Sequence, residues 1–401
     1  MSTGPAVRHC PFDFADALEF DPALRQLMTE GPVTRIRLSY GQDDAWLVTG
    51  YDDVRTVTSD RRFSRHAVIG RDFPRMTPEP IVQDEAINLM DPPAGNRLRS
   101  LVSKAFARDL LEHARTRTRL ATDALLDAMA ARGPGADLVE HLAGPLPLTV
   151  ICDVLDIPEG DRATLRAHAR TMMDTTPEGR AAAVRAKADL RAYFATLTAQ
   201  RRRDPGTDLI SALATARDGD QMLDPQELTV MAMVLLITGQ DTTTYQIANL
   251  AYTLLTRPAE LALLRARPDL LAPAVNELLR LIPFRKGVGI PRIATEDIEL
   301  GGVTISAGDT VHVSYLTANR DPNTFHRPDE LDLERTGPAH MTFGWGAHHC
   351  LGAPLATIEL HTALDALLTR FPRLALARPA DEIHWNTTSI WRHPLALPVT
   401  W

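Results

Sequence analysis

The chain has few cysteines. Cys10, Cys152 and Cys350 stand far apart, and no Cys-x-x-Cys pair occurs. That argues against a disulfide framework and against a zinc site built on cysteine pairs, and it suits a reducing cytosol. Met1 to Phe20 holds no long apolar run, so no signal peptide or membrane anchor is expected there. There is no excess of basic charge either. The formal net charge is −8 and the pI about 5.9, which gives nucleic acid no reason to bind. Internal repeats and low-complexity tracts are absent. What remains is 401 residues with 44% hydrophobic content, enough for a large core and, on length alone, for two or three domains.

Charge is scarce in one further place. Between Leu228 and Thr256 the only formally charged residue is Asp241. The stretch opens on Asp224-Pro225-Gln226-Glu227, a capping box with proline at the first helical position, and stops before Pro258. A helix over this span would be roughly 45–50 Å long, and one so poor in charge belongs in the protein centre. The polar run Gly239-Gln240-Asp241-Thr242-Thr243-Thr244-Tyr245-Gln246 argues against a membrane span. A lone carboxylate in a buried helix is costly unless it has a partner or a task. Thr242 and Thr243 place hydroxyls beside it, and Gly239 loosens the helix and leaves space against something flat. A polar helix contact without chemistry is the plain alternative.

The third cysteine lies in Phe343-Gly344-Trp345-Gly346-Ala347-His348-His349-Cys350-Leu351-Gly352, and a helical pattern begins at about Ala353. Glycines let a backbone turn tightly and approach a flat cofactor. A helix start offers free N–H groups and a positive dipole end, which favour a sulfur anion. A thiolate held this way can ligate haem iron. A buried structural cysteine is the bland alternative. Zinc, suggested by His348 and His349, lacks further ligands nearby.

This stretch resembles the haem-binding signature of the cytochrome P-450 family, Phe-Gly-x-Gly-x-His-x-Cys-x-Gly-x-x-Leu-Ala. Phe343, Gly344, Gly346, His348, Cys350, Gly352, Leu355 and Ala356 fill its fixed positions. Thr238 to Thr243 resembles the family's oxygen-binding kink, where an acid–alcohol pair delivers protons. Glu277 and Arg280 resemble its buried Glu-x-x-Arg pair, with Arg335 or Glu330 as candidates for the third member. Asp91 to Phe106 resembles the helix beside the haem. The likeness runs from Thr49 to Trp401. It implies a mainly α fold with a smaller β region, residues 1–401 forming a single domain with β-rich parts near 33–50, 290–315 and 380–401.

The resemblance also implies a function: a soluble, cytoplasmic, monomeric haem-thiolate monooxygenase that activates dioxygen to oxidise a small organic substrate in a natural-product tailoring step. Cys350 would hold the iron of haem b. Arg99, Arg292 and His340 would hold the propionates, and Phe343, Gly344, Gly352 and Gly239 would contact the cofactor. Asp241 and Thr242 would manage protons. Thr238, Val288, Gly289, Ile290 and Ile390 would line the substrate pocket, under a lid carrying Met172 and Met173. Electrons would come from NAD(P)H through a separate ferredoxin or flavodoxin, docked on Arg97, Lys104 and Arg108. Oxidative coupling or desaturation without oxygen insertion fits the same motifs, and so does a haem protein that does not oxygenate.

Residue patterns add local expectations. Val33 to Leu38 and Ala45 to Thr49 alternate as strands. Ile298 to Ile305 reads as a hairpin turning on Gly301-Gly302. Strand-like segments are expected around Ile383 to Trp385 and Leu395 to Leu397. Asp91 before two prolines reads as a helix start.

Overall fold

The computed structural model describes residues 7–14, 16–77, 80, 85–106, 108–172, 176 and 178–401. Met173 lies outside them, and so does the side chain of Arg108.

The charge-poor stretch forms a central helix, Pro225–Leu255, of 31 residues. Its start is the capping box expected from sequence. The Asp224 carboxylate accepts from the Glu227 amide at 2.7 Å, and the Glu227 carboxylate accepts from the Asp224 amide at 2.9 Å. The helix is buried on nearly every side because helices surround it: Pro145–Val154, Arg180–Arg203, Leu271–Leu281 and Ala353–Arg370 all pack on it. Apolar residues from these helices merge into the largest core cluster. Such burial, at about 25 cal/mol per Å² of apolar surface, is the main stabilising term.

A six-stranded sheet stands beside the helices. Val33–Arg37 pairs antiparallel with Ala45–Val48, and Ala45–Val48 pairs parallel with Thr310–Val313. Arg292–Ala294 continues the sheet, followed by Phe63–Ser64. The Gly-Gly hairpin forms as expected, with Leu300 opposite Val303 and both glycines at positive φ, +56° and +81°. The C-terminal expectation is corrected. The last strand is Val399–Thr400, paired with Ala375–Leu376, while Trp385 and Pro394 make only an isolated bridge.

Arg392 ties three regions together. Its guanidinium donates to the carbonyls of Glu19 and Asp16, both at 2.7 Å. Its amide donates to Phe284 O at 2.8 Å, and its carbonyl accepts from Asn249 of the central helix at 2.8 Å.

Glu277 and Arg280 form a buried pair, with Arg280 Nε 2.7 Å from Glu277 Oε2. Arg335 is the third member, its Nε donating to Glu277 Oε1 at 3.0 Å. Glu330 contributes only its carbonyl to Arg280, and its carboxylate pairs with Arg327. Arg280 also donates to the Asn319 carbonyl at 2.8 Å. The Asn319 side chain in turn grips Met341 N at 2.6 Å and Thr342 Oγ1 at 3.0 Å, immediately before the cysteine loop. Removing one member of a buried pair strands the other's charge. Glu277→Ala is therefore expected to lower stability by about 3–5 kcal/mol, read from the urea unfolding midpoint. An unchanged midpoint would remove the structural role.

Candidate active site

The cysteine loop is shaped by two glycines in the left-handed region. Gly344 has φ +77° and Gly346 φ +67°. A Cβ on Gly346 would lie 2.4 Å from the Thr58 carbonyl oxygen, so only glycine fits there. The loop then folds back, and the Cys350 amide donates to Phe343 O at 2.8 Å. Helix Ala353–Arg370 starts directly after Gly352 with proline in its first turn. Cys10 and Cys152 are buried, whereas Cys350 is exposed. Yet protein crowds Cys350 enough for burial to push its thiol pKa up, against the opposing pull of the Gly352 amide, Arg99 and the Ala353 amide. A side chain both accessible and crowded opens into an internal hollow.

Cations gather at that hollow. Arg292 is 1% exposed, and both its Nη1 and Nη2 are buried without a hydrogen-bond partner among the described residues. Arg65 lies close by. Burial and Arg292 pull its pKa down to about 9, and its Nη1 donates to Asn88 O at 3.0 Å. His348 is held neutral, its pKa pulled down to about 2 by burial and by Arg65, Arg292 and Arg99. Arg99 donates to the carbonyl of His349. Buried guanidinium groups without anions cost several kcal/mol each, and among the described residues none of the Arg292, Arg65 and Arg99 guanidinium groups makes an ion pair, so this cluster suits carboxylates carried by a bound group. Haem carries two propionates and needs one axial ligand, and the residues present fit it.

The structure does not bring His340 to this cluster. Its half-buried ring has its pKa lowered by desolvation and by Arg280 and His349, against the pull of Glu277. His348, inside the motif, takes the place expected for it. Arg65 was not evident from sequence, since no motif surrounds it. Its position is fixed by Asp91, which accepts from the Ser64 hydroxyl and from Arg65 N at 2.9 Å. Asp91 therefore clamps this loop and does not cap the helix, which begins at Ala94. Gly95 has a steric reason as well, because a Cβ there would lie 2.6 Å from Met90 O.

A cavity of about 490 Å³ lies beside the central helix. Thr238, Val288, Gly289, Ile290 and Ile390 all line it, as do Asp241, Thr242 and Met172. Tyr315 connects it to the cysteine loop. A Cβ on Gly289 would lie 4.0 Å from Tyr315 Cε2, and one on Gly344 3.6 Å from the Tyr315 hydroxyl. Thr242 Oγ1 donates to the Thr238 carbonyl at 2.7 Å, and Thr238 Oγ1 to Val234 O at 2.7 Å. Such back-bonding loosens a helix locally. Asp241 is 3% exposed and accepts from Gln240 Nε2 at 3.1 Å. Burial raises its pKa, while Arg170, that hydrogen bond and Arg166 oppose the rise. Both arginines lie on helix Glu159–Met172, and Arg170 is exposed. Their charges act on Asp241 from the side of that helix, an influence no local pattern announced. Gly239 is corrected. A Cβ there would lie 3.0 Å from Ile151 Cδ1, so its bare side faces another helix and lets the two approach.

The basic docking cluster is also weakened. Arg97 pairs with Glu227 and Lys104 with Asp218, the latter at 2.8 Å. Among the described residues no helix is long and apolar enough to cross a membrane.

A mainly helical body with a sheet beside it, enclosing a hollow that a cysteine and several arginines face, is the architecture of an enzyme that wraps a flat, anionic cofactor. Residues 264–394 match the family model described as Cytochrome P450. The chain is 46% identical to nocardicin C N-oxygenase of Nocardia uniformis subsp. tsuyamanensis, over 98% of this chain and 99% of that protein. It is 40% identical to biflaviolin synthase of Streptomyces coelicolor, over 99% of this chain and 97% of that one. The crystal structure of cytochrome P450mel, described as having biaryl coupling reactivity, is 67% identical with a TM-score of 0.96, covering 99% of this chain and 100% of that one. The chain belongs to the cytochrome P450 family. It is a haem-thiolate oxidoreductase of the kind that tailors natural products.

Proposed function

We propose that the chain joins two aromatic rings by oxidative coupling. The observation that carries this reading is its 67% identity, over nearly the whole chain, to a structure described as having biaryl coupling reactivity. The cavity supports it. Its volume falls within the range of about 300–1,000 Å³ typical of ligand pockets, and Phe73 and Trp391 offer aromatic faces.

In this reading Cys350 holds the iron, and Arg292, Arg99 and Arg65, with His348 between them, hold the propionates. When bound, haem supplies dioxygen activation and the oxidising power. The rest is the chain's work. Ile237, Val234 and Val288 exclude water from the cavity. Thr242 offers its hydroxyl lone pairs to a proton donor beside the reacting centre, and Asp241, its pKa raised by burial against the electrostatic pull of Arg170 and Arg166, brings protons in from the surface. Electrons arrive from NAD(P)H through a separate ferredoxin or flavodoxin.

The balance is simple. One bond forms between two aryl carbons, and each ring gives up one hydrogen. Two electrons from the rings and two from NAD(P)H reduce one dioxygen to two waters. The test supplies the holoenzyme with a redox partner, NADPH, ¹⁸O₂ and 2-naphthol. The expected product has twice the substrate mass less two hydrogens and no label. A monomer carrying one ¹⁸O, with no dimer, would replace coupling by hydroxylation.

A further inference from the structure

We propose that Arg285 is a specificity-determining residue whose guanidinium binds an ionised oxygen carried on the aromatic substrate, an acidic phenol or an aryl carboxylate. The proposal rests on reading the cavity as the substrate pocket of a haem enzyme.

Arg285 lines the cavity with Val288, Ile290, Ile390 and Trp391. Its backbone is pinned. Arg285 and Trp391 form an antiparallel bridge, Lys286 N donates to Ile390 O at 2.8 Å, and Arg392 N donates to Phe284 O at 2.8 Å. The side chain is also held. Its guanidinium lies over the Trp391 ring, 5.7 Å from the centroid, and Nη2 donates to the Val288 carbonyl. Trp391 is steadied by stacking with Phe284, with ring centroids 5.3 Å apart and 16° between planes.

What the guanidinium lacks is an anion. Among the described residues it has no ion pair, and its Nε is buried without an acceptor. Other buried arginines contrast with it: Arg280 has Glu277 and Arg320 has Asp329. The acid lining the cavity, Asp241, makes no ion pair with Arg285, and the cations that act on its charge are Arg170 and Arg166. Burial lowers the Arg285 pKa to about 10, so the group stays charged at neutral pH. A charged group held rigidly in an apolar cavity, short of a counterion, makes a strong, oriented hydrogen bond to an anion that enters. A neutral phenol would leave that charge unbalanced. The aromatic faces beside it suit a planar ligand.

The test uses holoenzyme of wild type, Arg285→Gln and Arg285→Lys. Binding of 2-naphthoate, 2-hydroxy-1,4-naphthoquinone (ionised at pH 7.5) and neutral 2-naphthol is measured by the haem absorption shift and by calorimetry. Arg285→Gln is expected to weaken the anions by about tenfold or more and to change 2-naphthol by less than about twofold. Arg285→Lys should recover part of the loss, and gives the same comparison if Arg285→Gln does not fold. Loss confined to the naphthoquinone assigns an acidic phenol, and loss confined to the naphthoate assigns an aryl carboxylate. Undiminished anion binding in Arg285→Gln overturns the proposal, as does a wild type that takes 2-naphthol but neither anion. A fall in haem content matching the loss of binding overturns it too, because the guanidinium would then serve the cofactor. If wild type shows no red-shifted band for its reduced carbon monoxide complex, the underlying reading of the cavity fails first.

Discussion

Cys350→His is expected to abolish the red-shifted band of the reduced carbon monoxide complex and with it substrate oxidation, while leaving the fold intact. The band reports a thiolate on iron, and Cys10 and Cys152 are buried, with burial pushing each thiol pKa up to about 11. Neither can stand in for Cys350. The fold survives because the Cys350 side chain opens into a hollow and fills no packed site, and because the loop's shape comes from Gly344, Gly346 and the Cys350 amide bond to Phe343. The carbon monoxide difference spectrum and far-UV circular dichroism are the measurements. A red-shifted band that persists in a folded variant would show that the thiolate assignment is wrong.

Thr242→Ala should consume reductant at a near-normal rate but release hydrogen peroxide in place of product. Asp241→Asn should slow the whole cycle, on the order of 10²–10⁴-fold, as loss of a general acid–base group does. The Thr242 hydroxyl points its proton at the Thr238 carbonyl, 2.7 Å away, and keeps its lone pairs free to hold a proton donor in the cavity. Alanine removes that hold without touching Asp241. The ratio of product to reductant consumed separates the two variants, and full coupling in Thr242→Ala would reduce the residue to packing. The pH dependence follows from the raised Asp241 pKa. Proton delivery needs the protonated acid, so the wild-type rate should fall as pH rises through that value, and the Asn variant should lose this limb. Stability moves the same way with pH. A carboxyl raised in the fold costs stability once it ionises, so the folded state weakens as pH climbs from the ordinary carboxyl range through the raised value. Asp241→Asn should therefore unfold at a higher temperature than wild type at neutral pH while working far more slowly.

Much of the architecture was legible because its causes are local. The capping box fixes where the central helix begins. A Gly-Gly turn fixes the hairpin register. The glycines around Cys350 dictate a tight loop wherever it lies. What escaped depends on neighbours distant in sequence. Gly239 reads as room for a cofactor, yet its open side is taken by Ile151 on another helix. His340 and His348 both sit near the motif, and only the folded loop shows which one meets the arginines. Arg97 and Lys104 look like a free basic patch until Glu227 and Asp218 arrive from far along the chain. Arg65 owes its place to Asp91, which sequence reads as a helix start. Charges and glycines are visible in a sequence, but the side chain that answers each of them is not.

Arg392 has a practical bearing on how the chain can be engineered. It grips the carbonyls of Asp16 and Glu19, and the residues just before it, Ile390 and Trp391, form part of the cavity wall. The N-terminal arm and the pocket thus share a single fastening. Trimming the arm, or fusing a carrier close to it, loosens the same strap that sets Trp391 beneath the Arg285 guanidinium. Changes made far from the haem for expression or tethering would be felt as altered substrate choice, and the arm becomes a site from which selectivity can be tuned without entering the pocket.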